Sequence, residues 1–103
     1  LVAIVDKNGI QNDRFTHEVM DLNPLPEKWK SFGWECFEVD GHNTESLDKI
    51  FKSINYDNPK PKVIIADTIK GKGVSFMENN PDFHGKAANS EQLKQAIAEI
   101  NNQ

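Results

Sequence analysis

Two near-continuous apolar runs, Leu1–Asp6 and Lys62–Asp67, constrain the fold of this chain most. A strand with one wet face alternates apolar and polar residues, whereas a strand covered on both faces does not. Both runs therefore read as parallel strands buried on two sides. Glu35–Val39 (Glu-Cys-Phe-Glu-Val) is a third strand-like run. Between the strands lie helical stripes. Leu25, Trp29 and Phe32 recur at helical spacing, with Pro26 suited to a first turn and Gly33 to a C-terminal cap. Leu47, Ile50, Phe51 and Ile54 form a second stripe, capped by Asn43 or Thr44, and Asn58-Pro59-Lys60-Pro61 breaks it. A third helix starts near Ser90, with Leu93, Ile97 and Ile100 on one face. Asn89 and Gln92 are spaced as a capping box.

Strand, helix, strand, helix, strand, long loop, helix is the order expected of an α/β fold with parallel strands joined by right-handed crossovers. The chain opens on Leu1, already inside a strand. A buried parallel strand needs neighbours on both edges and helices on both faces. The sequence is therefore expected to be a piece of a larger domain.

Composition narrows the function. The net charge of −4 disfavours nucleic acid, whose readers usually carry a basic patch. No apolar stretch approaches the roughly 20 residues that span a bilayer, and no charged-then-apolar leader is visible. Cys36 is the single cysteine and has no internal disulfide partner. It is expected to be a reduced core or edge residue in a cytoplasmic protein. No CxxC or HxxxH set suggests zinc.

Two places could carry chemistry. The first run ends in Asn8-Gly9, at the carboxyl end of a strand, where open α/β sheets bind ligands. Side-chain and backbone carbonyls there suit a hard cation such as Mg²⁺ or Ca²⁺ that holds a phosphate. An ordinary β-turn accounts for the same dipeptide. The loop from Ile69 to Ala88 leaves the third strand on the same side, and it is too long for plain connectivity. Its Lys70-Gly71-Lys72-Gly73 combines close backbone approach with positive charge but lacks P-loop spacing. A solvated loop is the competing reading. His84-Gly85 ends this loop, where an imidazole could meet a phosphate or move a proton, or simply face solvent. His42 reads as part of a turn entering a helix, and His17 as exposed.

Taken together, these residues resemble a known family. Asp6-Lys7-Asn8-Gly9-Ile10-Gln11, Leu25-Pro26-Glu27-Lys28-Trp29-Lys30-Ser31-Phe32-Gly33-Trp34 and Glu38-Val39-Asp40-Gly41-His42 look like the thiamine-diphosphate-binding domain of transketolases. The most specific stretch is Thr68–Asn80, followed by His84-Gly85-Lys86-Ala87. The likeness covers essentially all 103 residues. It is greatest to the N-terminal subunit of split, two-gene bacterial and archaeal transketolases.

The resemblance implies a three-layer α/β fold with a parallel sheet, of which residues 1–103 form the C-terminal part. The Gly-Asp-Gly half of the family's cofactor motif would lie upstream. Asn8 matches the motif's closing Asn, so its side-chain oxygen would bind Mg²⁺. Ile10 matches the position whose backbone carbonyl is a second ligand. Asn8, Ile10, Ile69 and His84 would bind thiamine diphosphate, and His84 would assist proton movements at the donor ketose. Lys7, Asn12 and Asp67 depart from the residues many relatives carry. The implied reaction transfers a two-carbon ketol unit from a ketose phosphate to an aldose phosphate, and the fragment alone would be silent. The implied partner is a pyrimidine-binding domain or C-terminal transketolase subunit, in a homodimer or heterotetramer. A non-catalytic binding or assembly module of the same fold is one alternative. Another enzyme using the cofactor, such as deoxyxylulose-phosphate synthase or a dihydroxyacetone synthase, is the other.

Overall fold

The computed structural model describes residues 1–102 and divides into two compact units. The first unit joins Leu1–Lys7 to Leu22–Thr68. Its strands are β1 (Val2–Lys7), β4 (Glu35–Asp40) and β5 (Lys62–Asp67). They form one sheet in the order β1-β5-β4, and both pairings are parallel. The expected parallel α/β arrangement is thus present. Lys62 stands opposite Val2 on one side and Glu35 on the other.

The last strand in sequence lies in the middle, and burial explains why. Val63, Ile64 and Ile65 are completely buried, so this run has two covered faces. Within these residues Ile4 on β1 is 59% exposed, and β1 is an outer strand of this three-stranded sheet. An apolar run reports that a strand suits a two-sided interior. It does not report which of the two runs is central. The buried Lys62 opens β5, with its Nζ donating to the carbonyls of Asn58 and Lys60 (2.6 Å for the latter). Those carbonyls replace the water that the ammonium loses.

Two helices, α2 (Leu25–Ser31) and α3 (Thr44–Ser53), pack on β4. Gly33 follows α2 with φ +83, and the N–H groups of Gly33 and Trp34 donate to the carbonyls of Lys30 and Trp29. That pair of bonds is a Schellman cap and accounts for the helix stop read at Gly33. Phe32, counted in the α2 stripe, is instead the cap residue and is 82% exposed. Asn43 caps α3 by accepting from the Ser46 N–H at 2.9 Å. Gly41 packs so tightly that a Cβ there would lie 2.5 Å from Thr68 Cγ2 and 3.1 Å from the Asp67 carbonyl.

The second unit joins Asn8–Asp21 to the segment from Ile69 onward. Its first part is a hairpin, β2 (Ile10–Gln11) with β3 (Arg14–Phe15), followed by the single turn α1 (Thr16–Val19). This hairpin was not expected from the sequence. Asn12, one of the departures from the family pattern, sits at its tip with φ 54. The second part ends in α4 (Ser90–Asn101), whose Asn89–Gln92 capping box is complete. Leu93, Ile97 and Ile100 share one face of α4, as their spacing requires. Leu93, Ile97 and Ile100 are each more than half exposed, while Ala96 is buried.

Candidate functional site

Asn8, Ile10, Ile69 and His84 all fall in the second unit. In an antiparallel ladder, pairs that exchange hydrogen bonds alternate with pairs that do not. Thr16 donates its N–H to the Gly9 carbonyl at 2.8 Å, which makes Ile10 and Phe15 a non-bonded pair. The N–H and C=O of Ile10 therefore both point away from β3. The Ile10 N–H donates to Asn8 Oδ1 at 2.9 Å, so the Asn8 side-chain carbonyl stands on that same side. This is an Asx turn, in which the side chain mimics the backbone turn read at Asn8-Gly9. It leaves the ligand reading intact, because a carbonyl oxygen carries two lone pairs and one remains on Asn8 Oδ1. Two neutral oxygens thus share one side of β2. Among the described residues no cluster of three or more His, Cys, Asp or Glu could hold a metal. A cation here would keep most of its coordination for water or ligand, which is the habit of Mg²⁺ rather than zinc.

The Gly-rich loop is not an open cradle. Ile69, half-buried, accepts from the Lys72 N–H at 3.2 Å and starts a series of turns. Val74 and Met77 continue the series, and Asn79 donates back to the Lys70 carbonyl at 3.0 Å. Gly71 takes φ +76, and a Cβ there would lie 2.6 Å from the Met77 carbonyl oxygen. The Gly73 N–H donates to Glu78 Oε1 at 3.0 Å, and Lys72 Nζ lies 3.8 Å from the same oxygen. The glycines therefore serve the turn itself, and an acidic side chain already takes the Gly73 amide. Neither the solvated loop nor the phosphate cradle read from the sequence describes this packing, since Val74 is buried.

Glu99 on α4 grips the same loop. Its Oε2 accepts from the Ser75 N–H at 2.6 Å, and its Oε1 accepts from the Ser75 hydroxyl at 2.7 Å and from Gln95 Nε2 at 2.7 Å. Lys72, Gly73, Ser75, Glu78 and Glu99 line a cleft of about 430 Å³. Sequence reasoning missed this group, because it singled out only Leu93, Ile97, Ile100 and the Asn89–Gln92 cap on this helix. The only signal was the i, i+4 spacing of Gln95 and Glu99 beside the small Ala96.

The Ser75 amide, then Gln95 and the Ser75 hydroxyl, hold the Glu99 carboxyl below its usual range. A lowered folded-state value stabilises fully above the ordinary glutamate value of about 4.3, and the effect is lost as pH falls through the folded value. Protection of the Ser75 amide from hydrogen exchange, corrected for intrinsic rates, is expected to persist unchanged down to about pH 5 and to fail only below the ordinary value. Loss of protection nearer neutrality would show that Glu99 does not hold the loop. Lys72 and Glu78 are the other charged groups in the cleft.

His84 follows the short 3₁₀ turn Pro81–Phe83, its N–H donating to the Pro81 carbonyl at 3.0 Å. Its ring is exposed. Around it, Phe76 and Phe83 pack with ring centres 5.4 Å apart, and Lys86 Nζ lies 5.5 Å above the Phe83 ring. Asn80 braces the turn, accepting from the Asp82 N–H and donating to the Phe76 carbonyl. His84 is therefore an accessible imidazole on a braced backbone. His42 lies in the turn expected of it, its N–H donating to Asp40 Oδ1 at 2.9 Å, and His17 is exposed beside Phe15. Burial pushes the Cys36 thiol up, against the pull of Lys30, so it is a poor nucleophile. In the first unit, Lys7 Nζ pairs with Asp67 at 2.9 Å, and the Thr68 hydroxyl donates to Asp6. An apolar cleft of about 510 Å³ lined by Leu25, Lys28, Trp29, Phe32 and Trp34 contains none of the expected site residues.

The family described as "Transketolase, thiamine diphosphate binding domain" matches residues 1–101. One subunit of the apulose-4-phosphate transketolase of Phocaeicola vulgatus is 41% identical over 97% of this chain and 36% of its own length. The 6-deoxy-6-sulfo-D-fructose transketolase subunit SqwG of a Clostridium species is 39% identical over the same shares. Human transketolase is 33% identical over the whole chain and 16% of its own length. The crystal structure of transketolase from Campylobacter jejuni matches 98% of the chain with a TM-score of 0.86, at 24% identity, which speaks to fold. The chain spans about a third of the length of the transketolase subunits it matches. It belongs to the transketolase thiamine-diphosphate-binding domain family.

Proposed function

We propose that this chain is the C-terminal part of a transketolase cofactor domain, and that its parent protein moves a two-carbon ketol unit from a ketose phosphate to an aldose phosphate. The observation that carries the site assignment is the shared side of Asn8 Oδ1 and the Ile10 carbonyl, in a chain of this family. Two hard oxygens with free lone pairs fit Mg²⁺, and Ca²⁺ would find the same donors acceptable. Diphosphate, water and groups outside this chain would complete the coordination. Carbanion chemistry is what bound thiamine diphosphate supplies to such a reaction.

The chain's own residues do the rest. Asn8 and Ile10 would hold the Mg²⁺, whose charge would offset that of the diphosphate. Ile69, at the start of the Gly-rich loop, would contact the cofactor. His84 moves the proton of the donor hydroxyl on the carbon whose bond to the ketol unit breaks, and returns a proton to the acceptor's carbonyl oxygen as the new bond forms. Two relatives are named as transketolase subunits, which supports a partner subunit that completes the enzyme. Without it the 103-residue chain is expected to be inactive.

Asn8→Ala in the intact protein tests the assignment. Loss of even a supporting group at a metal site commonly costs about 10–100-fold in affinity. Calorimetric titration of thiamine diphosphate at limiting Mg²⁺ is expected to show a loss in that range. An unchanged affinity would leave Asn8 as a turn residue only.

A further inference from the structure

We propose that Glu99 is a positioning residue, which acts through Ser75 to hold the 69–80 loop in the form that sets Ile69 and His84 at the cofactor. The inference rests on the transketolase reading above. The Glu99 carboxylate is hydrogen-bonded to Ser75. It acts on the middle of the segment that carries one at its start and the other just beyond its end.

Three observations point the same way. The first is the bidentate grip: the two oxygens of one carboxylate take the amide and the hydroxyl of the same serine, at 2.6 and 2.7 Å. Such charge-assisted pairs are the strong class of hydrogen bond. The second is the support behind the grip. Gln95 Nε2 donates to Glu99 Oε1 at 2.7 Å and to Ser75 Oγ at 3.2 Å, which fixes the carboxylate against rotation. The third is the orientation of α4. Glu99 and Gln92 are half-buried on the side of buried Ala96. The helix turns its carboxylate toward the loop.

Within the loop, Glu78 takes the Gly73 amide in the same way. Two carboxylates thus hold amides two residues apart. Glu78 is local to the loop, but Glu99 is 24 residues from Ser75 and ties the loop to a separate helix. Removing Glu99 strips the Ser75 amide of its acceptor, and the turn series through Val74 and Met77 loses its outside anchor.

The test uses the intact protein with its partner. Glu99→Leu removes both acceptors, Glu99→Gln keeps one, and Ser75→Ala removes only the hydroxyl. Ser75 amide exchange, thiamine diphosphate affinity, and kcat and KM for a ketose-phosphate donor are read for each. Glu99→Leu is expected to speed Ser75 exchange and to lower kcat by about tenfold or more each, the worth of a charged hydrogen bond. Glu99→Gln is expected to recover most of both, and Ser75→Ala to fall between wild type and Glu99→Leu. Faster exchange in Glu99→Leu with unchanged kcat and cofactor affinity would reduce Glu99 to a structural residue and overturn the proposal. So would unchanged exchange. If Glu99→Leu fails to fold, the same readings on Glu99→Gln and Ser75→Ala decide. A wild-type enzyme that binds thiamine diphosphate but transfers no ketol unit would overturn the transketolase reading instead. Cofactor affinity and exchange would then decide the role of Glu99.

Discussion

Gly71→Ala is expected to open the Gly-rich loop at a cost of about 2–5 kcal/mol. Two independent effects add. The residue sits at φ +76, where an L side chain pays about 1–2 kcal/mol against its own carbonyl. The new Cβ would also lie 2.6 Å from the Met77 carbonyl oxygen and 2.7 Å from its carbon, which is backbone and cannot swing aside. Overpacking of that kind adds about 1–3 kcal/mol. The loss should concentrate where Gly71 matters, in the turns closed by Val74 N–H to the Gly71 carbonyl and by Asn79 N–H to the Lys70 carbonyl. At the low end of the range those two amides would exchange about 30-fold faster, since each 1.4 kcal/mol is tenfold. Gly85 supplies the control. It has the same φ of +76 and nothing within 4 Å of its would-be Cβ, so Gly85→Ala should show the backbone effect alone. Equal effects at the two glycines would mean that the loop relaxes around Met77.

The contrast between those glycines shows where the sequence was readable. The three parallel strands and the caps at Asn43, Gly33 and Asn89 could be read from residues alone, because each rests on local chemistry or on a period that only one structure satisfies. What could not be read depends on which surfaces meet. Leu93, Ile97 and Ile100 share a helix face, as their period says, but a period does not name what packs where, and within this chain it is Ala96 that α4 buries. Likewise Leu1–Asp6 and Lys62–Asp67 look alike as strings, yet only Val63, Ile64 and Ile65 are sealed. The Asn12-Asp13 hairpin was missed because its strands are two residues long, too short for alternation to register. At the site, Asn8 was legible as a turn residue. That its second lone pair shares a side with the Ile10 carbonyl follows only from the ladder set by Thr16. The Ser75–Gln95–Glu99 group was hard to read because Ser75 lies 20 and 24 residues from its two partners and each residue is ordinary alone.

In the intact enzyme His84→Ala is expected to lower kcat for a ketose-phosphate donor by about 10²–10⁴-fold, the usual contribution of a positioned acid or base. Thiamine diphosphate affinity should change far less. The split follows from the proposed division of labour, in which Asn8 and Ile10 hold the metal and diphosphate while His84 handles protons at the substrate. Two features of the structure suit His84 to that task. The ring is exposed, so it can reach a ligand and exchange protons. The backbone beneath it is nonetheless fixed, by the Pro81 carbonyl, by the Asn80 cap and by the Phe76–Phe83 contact. An acid or base needs both access and position, because efficiency falls steeply when the proton's path lengthens. Steady-state kinetics beside a cofactor titration would separate the roles. A fall in cofactor affinity as large as the fall in kcat would make His84 a binding residue. Wild-type turnover would make it a surface histidine that happens to follow a well-braced turn.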